Sequence, residues 1–246
     1  MTDEGKELIR AGADAAMKPF ANLIEKLFGG PVEEIGGMWT DSLKVRRFDR
    51  QLKLLAKVKQ MIADGGFEPR HVSDNLSIPL LTAATLVESE SLHEKWAALL
   101  SNASKPGTGV HPSFVQVLEN IGPLDAAVLD EAYSRLLTKL KDKGNIQIVY
   151  LDPKEIQDVL RRAKENGGET CLENLIRLRL FLTDLDEANS FKTSEGLRSR
   201  PTFRYYLTRF GLEFYMACQP PAVRDALICD SPPLASLIAY PTPPPY

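Results

Sequence analysis

Two stretches in the last third of the chain decide its fold: Leu172-Glu173-Asn174-Leu175-Ile176-Arg177-Leu178 and Tyr206-Leu207-Thr208-Arg209-Phe210-Gly211. The first places apolar residues at helical spacing, and the second reads as a strand that leads into a short helix. A helix followed by a hairpin and a second short helix is typical of a winged helix-turn-helix. We therefore expect a mainly α protein with a small β wing near its C-terminal end.

The elements around these stretches support that expectation. We predict a helix from Pro123 to about Lys143 and a short strand within residues 146–151. A helix from Pro153 to about residue 163 follows, capped by Asp152, and then the candidate recognition helix from Glu169 to Arg179. Residues 205–207 are the second wing strand, and Thr208 caps a last helix that reaches Cys218. Residues 121–219 are thus predicted to form the winged-helix-like domain.

The N-terminal half reads as a separate helical domain over residues 1–120. A helix over about residues 5–28 ends at Gly29-Gly30-Pro31, and a long helix runs from Val32 to Asp64 before Gly65-Gly66. Ile78-Pro79-Leu80-Leu81 is expected to open the next helix. A further helix from Glu90 to Ala103 turns one apolar side, which includes Trp96, to the core.

Residues 220–246 form a proline-rich tail. A small helix is predicted over 222–229, and the prolines beyond it favour an extended, partly disordered chain that could also serve as a proline-motif ligand. Its prolines are Pro232, Pro233, Pro241, Pro243, Pro244 and Pro245.

Composition limits the classes of protein to which the chain can belong. Its 246 residues are 43% hydrophobic, which is enough for a packed core, and its net charge of −3 argues against a whole surface that binds phosphate. The N-terminus reads as no secretory signal, and no apolar run approaches the ~20 residues of a spanning helix. Cys171, Cys218 and Cys229 fit reduced thiols. We expect a cytoplasmic protein, with peripheral contact to the inner membrane left open.

One face of the long helix is basic, with seven cations between Asp41 and Gln60 against two acids. The face can be a solvated surface, or it can contact an anionic membrane or nucleic acid. The charge pattern does not separate these readings. The seven cations are Lys44, Arg46, Arg47, Arg50, Lys53, Lys57 and Lys59, of which the first five are the candidate membrane or partner contacts.

A second set of candidate contacts lies on the recognition helix and the wing. Leu172, Leu175, Ile176 and Leu178 are expected to face inward. The outward positions, which are Glu169, Glu173, Asn174 and Arg177, suit phosphate poorly because they bring two carboxylates. The insert over residues 191–204 has four cations against Glu195 and could follow a nucleic-acid backbone, or it could be charged because it is exposed. The candidate partner contacts are Asn174, Arg177, Lys192, Arg198, Arg200 and Arg204.

The sequence offers no catalytic residue, cofactor site or metal site. His71, His93 and His111 lie in separate segments without zinc-ligand spacing, and we expect each to be exposed or capping. Phosphate-binding loops, dinucleotide fingerprints and nucleophile elbows do not occur. A protein that binds without catalysis is the expectation.

The order of several motifs resembles the Abi-alpha family, the abortive-infection alpha proteins associated with bacterial defence against phage. The resemblance covers about residues 30–218, and Arg179 departs from it because such helices often have glycine before the wing. It implies a bacterial or prophage-borne cytoplasmic protein that stops an infected cell from yielding phage, and it supplies no catalytic residues. The motifs are Gly30-Pro31-Val32-Glu33-Glu34-Ile35-Gly36, Phe48-Asp49-Arg50-Gln51-Leu52-Lys53-Leu54-Leu55, Trp96-Ala97-Ala98-Leu99-Leu100-Ser101-Asn102-Ala103, Val110-His111-Pro112-Ser113-Phe114, Gly122-Pro123-Leu124-Asp125-Ala126 and the two stretches quoted first.

Two hypotheses follow. In the first, the winged-helix surface binds a protein or nucleic acid. In the second, the amphipathic segment from Leu8 to Trp39 opens and lies in a membrane interface beside the basic face. Long amphipathic helices can also bury one another across a dimer, so a homo-oligomer stays open.

Overall fold

The computed structural model describes residues 15–29, 42–143, 150–162, 168–185 and 203–230. Within these ranges the chain is mainly helical and carries one small antiparallel sheet, as the sequence predicts. Its contacts divide it into two compact units. The first comprises Met1–Glu119 and Ala217–Arg224, and the second comprises Asn120–Met216 and Asp225–Tyr246.

The described secondary structure of the first unit is all helical. The predicted glycine stops are confirmed, because Gly29 ends α1 with φ 68° and Gly66 follows α2 with φ 62°. The helices are a 3-10 turn Lys18–Phe20, α1 Ala21–Phe28, α2 Ser42–Gly65, α3 Asp74–Ala84, α4 Glu90–Ser104 and α5 Ser113–Glu119. The start predicted for the long helix at Val32 lies outside the described residues.

Helix α4 is the centre of this unit, and it is buried on more than the one side that the sequence predicts. Its polar residues Ser101, Asn102 and Ser104 are as buried as its leucines. The reason is that α2 and α3 pack against it while residues 217–224 return to it, as the Asn102 amide shows by donating to Ala217 O and Gln219 O at 3.0 and 2.7 Å. Helical periodicity could not reveal neighbours more than a hundred residues away.

Helix α3 begins one turn earlier than predicted. It starts at Asp74, so that Pro79 lies inside the helix rather than at its opening. Leu76 N and Ser77 N both donate to Ser73 O at 2.9 Å, which closes the first turn. Pro79 has no N–H for the carbonyl of Asn75, and this costs little because Asn75 is exposed to water.

The second unit combines helices with the sheet. The order is α6 Pro123–Lys143, β1 Tyr150–Leu151, α7 Pro153–Arg162, α8 Gly168–Arg177, β2 Phe181–Leu185, β3 Phe203–Leu207, α9 Arg209–Ala217 and α10 Pro221–Cys229, of which the last two straddle the boundary between the units. Strand β3 lies between β1 and β2 and is antiparallel to both. Phe181 and Leu151 are fully buried on the inner face of the sheet.

The predicted caps of this unit are confirmed. Asp152 Oδ1 accepts from Lys154 N and Glu155 N at 2.9 and 2.8 Å, and Glu155 Oε2 accepts from Asp152 N at 2.9 Å. This reciprocal pair is a capping box. Thr208 Oγ1 accepts from Gly211 N at 2.7 Å and caps α9. The proline-rich residues 231–246 lie outside the described part of the chain.

Candidate interaction surface

Helix α8 presents a polar face while its apolar residues pack inward. Leu172 and Leu175 are buried, as expected, and Ile176 and Leu178 are half-buried. Glu173 and Arg177 are exposed on the other side, where the sequence places them. Asn174 differs from the expectation, because it is half-buried and bonded within its own unit.

A chain of three side chains joins the buried start of α6 to the surface of α8. Asp125 is 8% exposed, and its Oδ2 accepts from Gly122 N at 2.8 Å and from Asn174 Nδ2 at 3.0 Å. Asn174 Oδ1 in turn accepts from Arg177 Nε and Nη2 at 3.2 and 2.8 Å. Since two of its nitrogens are held by one oxygen, the guanidinium of Arg177 is oriented while its Nη1 donors stay available.

The turn after α8 has the hydrogen bonds of a Schellman cap, with arginine in the position that usually holds glycine. Leu180 N donates to Leu175 O at 3.0 Å, and Arg179 N donates to Ile176 O at 2.8 Å. Arg179 has φ 61°, the left-handed conformation that the missing glycine put in question. Its side chain is exposed, so this turn adds a second cation two residues after Arg177.

The backbone of that turn is fixed by a cluster that we call the Tyr133 corner, which consists of Tyr133, Leu180, Thr208 and Gly211. Tyr133 Oη donates to Leu180 O at 2.9 Å, and Thr208 Oγ1 donates to Arg179 O at 2.7 Å. A β-carbon added at Gly211 would lie 2.1 Å from Tyr133 Oη and 2.4 Å from Leu180 O. The corner therefore requires glycine at residue 211.

Two buried phenols support this corner. The Tyr133 ring stacks on Tyr215 with centroids 4.7 Å apart and is tilted against Phe181 at 5.4 Å. Burial raises the pKa of Tyr133 well above its usual value, and burial together with the charge of Asp130 raises the pKa of Tyr215 to about 12. Both phenols are neutral near pH 7, so Tyr133 keeps the proton that it donates to Leu180.

The basic face of α2 is paired within the first unit. Arg50 Nη2 lies 2.7 Å from Glu88 Oε1, and its Nη1 donates to Thr85 O at 3.2 Å. Lys57 Nζ lies 2.7 Å from Glu90 Oε1 and 3.4 Å from Glu94 Oε1. These carboxylates lie more than thirty residues away in sequence, which is why sequence reasoning missed them.

The remaining cations of α2 are also engaged where their side chains are described. Lys53 pairs with Asp49 one turn earlier at 2.8 Å, and Lys59 donates to Pro19 O at 3.3 Å. The side chains of Lys44, Arg46 and Arg47 lie outside the described residues. Arg50, Lys57 and Lys59 thus join α2 to other segments of the first unit, whereas Arg177 and Arg179 are exposed on the second unit.

The wing candidates are only partly described. Lys192, Arg198 and Arg200 lie outside the described residues, and they remain predictions. Arg204 lies in β3, half-buried, with its guanidinium carbon 4.9 Å from the centre of the Tyr150 ring. It therefore belongs to the outer face of the sheet and not to the tip of the wing.

The segment of the membrane hypothesis is described over residues 15–29. Met17, Ile24 and Leu27 are buried there, and Met17 and Ile24 form an apolar cluster with Leu55 of α2. Val72 N donates to Leu27 O at 2.9 Å, which fastens the end of α1. A membrane role would require these side chains to leave that contact. In the described residues, no helix is long and apolar enough to cross a membrane.

The histidines and cysteines show one clear departure from expectation. His111 caps α5 as expected, since its Nδ1 accepts from Ser113 N at 3.2 Å, and His71 is exposed. His93 is instead buried, with Nε2 3.1 Å from Arg50 O, because this side of α4 packs against α2. The three cysteines, all in described ranges, form no disulfide, and the described residues hold no cluster of three metal ligands.

Comparison with protein families covers both the paired cations Arg50 and Lys57 of α2 and the turn that carries Arg177 and Arg179. A family model described as Abortive infection alpha matches residues 47–218, from within α2 to the residue after α9. The chain belongs to the Abortive infection alpha family. No curated protein and no solved structure matches it. The predicted resemblance is confirmed, and only the motif at residues 30–36 falls outside the match.

Three of the family motifs quoted from the sequence meet in the second unit. The Gly122–Ala126 motif supplies Asp125, the recognition-helix motif supplies Asn174 and Arg177, and the last motif supplies Thr208 and Gly211. Sequence reasoning named Asn174 and Arg177 as partner contacts, and it missed Tyr133 because a tyrosine within an apolar helix face carries no separate signal. In this Abortive infection alpha chain the three motifs thus build a supported turn that presents Arg177 and Arg179.

Proposed function

We propose that this chain is an abortive-infection protein that acts in anti-phage defence by binding a partner, without catalysis, through the outer surface of its second unit. The observation that carries the proposal is the family match over residues 47–218, which includes all of α6, α8 and the sheet. The working surface proposed is Arg177 and Arg179 at the end of α8.

The element order supports a winged helix as the binding scaffold. From α6 to β3 the elements follow in the order helix, strand, helix, helix, strand, strand. The sheet has the strand order β1-β3-β2 and is antiparallel. That arrangement is the one in which a winged helix-turn-helix presents its recognition helix beside a hairpin. On this proposal α8 is the recognition helix, and β2 and β3 are the two strands of the wing.

The charges around α8 favour a protein partner over duplex nucleic acid. Glu173 is exposed one turn before Arg177, and a carboxylate at that place would repel phosphates that Arg177 attracts. Asn174, the side chain best suited to read a base, is held by Asp125 and Arg177. A protein surface with a carboxylate opposite Arg177 and a cation opposite Glu173 satisfies both groups.

The experiment is a phage challenge of bacteria that carry the wild-type gene, Arg177→Ala or Arg161→Ala. Arg161 is the matched control because it is an exposed arginine of the same unit, and among the described residues it pairs with Asp158 on its own helix. We expect Arg177→Ala to lose most of the reduction in phage yield while its circular dichroism and melting temperature stay near wild type. Full defence by Arg177→Ala would remove α8 as the working surface.

A second arm distinguishes the classes of partner. Purified protein is mixed with labelled duplex DNA and RNA at about 50 and 200 mM salt. If nucleic acid is the partner, the affinity must fall steeply between these salt concentrations, by roughly tenfold for every two phosphates that the protein contacts. Defence without any salt-dependent binding supports a protein partner.

A further inference from the structure

The side-chain amide of Asn174 is held in one orientation, and that orientation decides how it meets Arg177. Asn174 Nδ2 donates to Asn120 O at 2.9 Å and to Asp125 Oδ2 at 3.0 Å. A carbonyl oxygen and a carboxylate oxygen accept hydrogen bonds, so the NH₂ group of Asn174 has to face them. Its Oδ1 is therefore turned the other way, to the side of α8 where Arg177 follows one turn later.

Asp125 holds this amide from a buried place in the first turn of α6. It is 8% exposed, and its Oδ2 also accepts from Gly122 N at 2.8 Å. Both hydrogen bonds that the Asn174 amide donates thus end on groups outside α8. The amide cannot rotate without breaking them, so its Oδ1 is a fixed acceptor for Arg177.

Asn174 uses only one edge of the Arg177 guanidinium. Nε and Nη2 donate to the same Oδ1 at 3.2 and 2.8 Å. The guanidinium is planar, and these bonds take its side edge, which leaves an N–H of Nη1 and an N–H of Nη2 parallel at its outer end. Arg177 is exposed, and Asn174 is the partner of its guanidinium in the described part of the chain. A partner protein can therefore reach an oriented pair of donors.

Arg179 offers the same charge without this geometry. Its backbone is fixed, because its N donates to Ile176 O at 2.8 Å and its φ is 61°. Its side chain is exposed and makes no hydrogen bond or ion pair with any described residue. A guanidinium on a side chain that turns freely acts mainly through its charge, which lysine also carries. The two arginines thus differ in what a partner can require of them.

We propose that the outer end of Arg177 binds one carboxylate of a protein partner through two parallel hydrogen bonds, and that Asn174 and Asp125 are positioning residues for Arg177. The proposal rests on the proposed function, because it names the group that the end of α8 takes. The two oxygens of a carboxylate match two parallel N–H groups, and a lysine ammonium has no such pair. Since the guanidinium is oriented beforehand, less side-chain entropy is lost on binding.

A single carboxylate suits this place better than nucleic acid does. A phosphate group could accept the same two donors, but nucleic acid brings a row of phosphates. Glu173 is exposed one turn before Arg177, and its repulsion grows with each further negative charge that lies near it. One carboxylate on Arg177 leaves Glu173 free to meet a cation of the same partner.

The first test compares Arg177→Lys with its matched control Arg179→Lys in the phage challenge, with each protein expressed at graded levels. Both variants keep the charge. We expect Arg177→Lys to need roughly tenfold more protein to halve the phage yield, the factor for one lost hydrogen bond to a charged group. Arg179→Lys should stay within about twofold of wild type, because only its charge is used.

The outcomes separate this proposal from the proposed function. If Arg177→Ala defends fully, the proposed function fails. If Arg177→Ala loses defence while Arg177→Lys keeps it, the working surface stands and the paired hydrogen bonds are wrong. Salt-dependent binding of duplex DNA or RNA that Arg177→Lys abolishes would make the bound group a phosphate and overturn the carboxylate.

The positioning role is measured on the purified full chain, without a partner, by NMR of the arginine Nε–H groups. The Arg177 signal is assigned by its loss in Arg177→Lys. We expect rotation about the Nε–Cζ bond of Arg177 to be slow in wild type and roughly tenfold faster in Asn174→Ala, which removes the accepting oxygen. Arg179 should rotate fast in both proteins. Equal rates for Arg177 and Arg179 in wild type would overturn the positioning role, whatever the phage challenge gives.

Discussion

The cations of α2 and the cations at the end of α8 differ in what surrounds them. Arg50 and Lys57 contact carboxylates of residues 88–94, and their side chains are only 24% exposed. Arg177 is held from behind by an amide oxygen, and Arg179 sits on a turn that arginine adopts at a cost. The first set stabilises the packing of helices, and the second set is presented outward. A count of charges along the sequence therefore does not tell which charges are available to a partner.

The most severe way to break the α8 side of this comparison is Gly211→Ala. The added methyl group would overlap Tyr133 Oη and Leu180 O, so we expect the free energy of unfolding to fall by roughly 3 kcal/mol. Urea unfolding followed by circular dichroism measures it. Gly109→Ala is the control, since no described atom lies within 4 Å of its β-carbon position. Equal losses for the two variants would contradict the close packing at residue 211.

The corresponding break on the α2 side is Asn102→Ala in the buried helix α4. The change leaves Ala217 O and Gln219 O without their donor, and unsatisfied buried groups cost about 1–3 kcal/mol. We expect a loss of roughly 2–3 kcal/mol in urea unfolding. Asn22→Ala, at an exposed position of α1, should change stability by less than about 0.5 kcal/mol. A loss at Asn102 no larger than at Asn22 would contradict this role.

A pH titration sharpens the comparison, because the α2 side contains a buried histidine. Burial lowers the pKa of His93 below its ordinary value of 6.5. The hydrogen bond to Arg50 O and the charge of Glu90 raise this pKa, and the charges of Lys57 and Lys53 lower it, so that the lowering prevails. As the pH falls through 6.5 the unfolded chain takes up a proton that the native chain does not, so stability is lost in the acid direction.

The measurement is the free energy of unfolding from pH 8 to pH 5 for wild type, His93→Gln and His71→Gln. His93→Gln keeps a donor for Arg50 O and should show a shallower loss below about pH 6.5, the ordinary pKa of histidine. His71 is exposed, and its substitution should leave the profile unchanged. Identical profiles for all three proteins would show that His93 is protonated as easily in the native chain as in the unfolded one.

The smallest effect has the opposite sign. Arg179→Gly relieves the left-handed conformation of residue 179, and we expect a gain in stability of about 0.5–1 kcal/mol. Gly66→Ala is the mirror-image control, because Gly66 has φ 62° and no described atom within 4 Å of its β-carbon position, so it should lose about the same amount. A gain in stability together with a loss of defence would mark Arg179 as kept for binding. A loss of stability would show that the Arg179 side chain contributes to the turn.

Much of the local structure follows from the sequence. The starts of three helices can be predicted from single residues. The fixed φ of Pro123 suits the first position of α6. The side-chain oxygens of Asp152 and Thr208 accept hydrogen bonds from the first N–H groups of α7 and α9. Gly29 and Gly66 predict the ends of α1 and α2, because a helix often ends at a residue with positive φ, which glycine adopts without strain. The start predicted for α3 is wrong, because proline is tolerated inside that helix. Lys192, Arg198 and Arg200 of the wing lie outside the described residues and stay predictions.

The sequence by itself determined the helical class, the caps, the presence of a small sheet and membership of the Abortive infection alpha family, because each of these rests on neighbours within a few residues or on the order of motifs. The tertiary structure alone decided which polar groups pair with one another. Arg50 meets Glu88, Asn102 meets Gln219 and Asp125 meets Asn174 across separations of 38, 117 and 49 residues. Such pairs form only when the core brings distant segments together, and no local pattern encodes them.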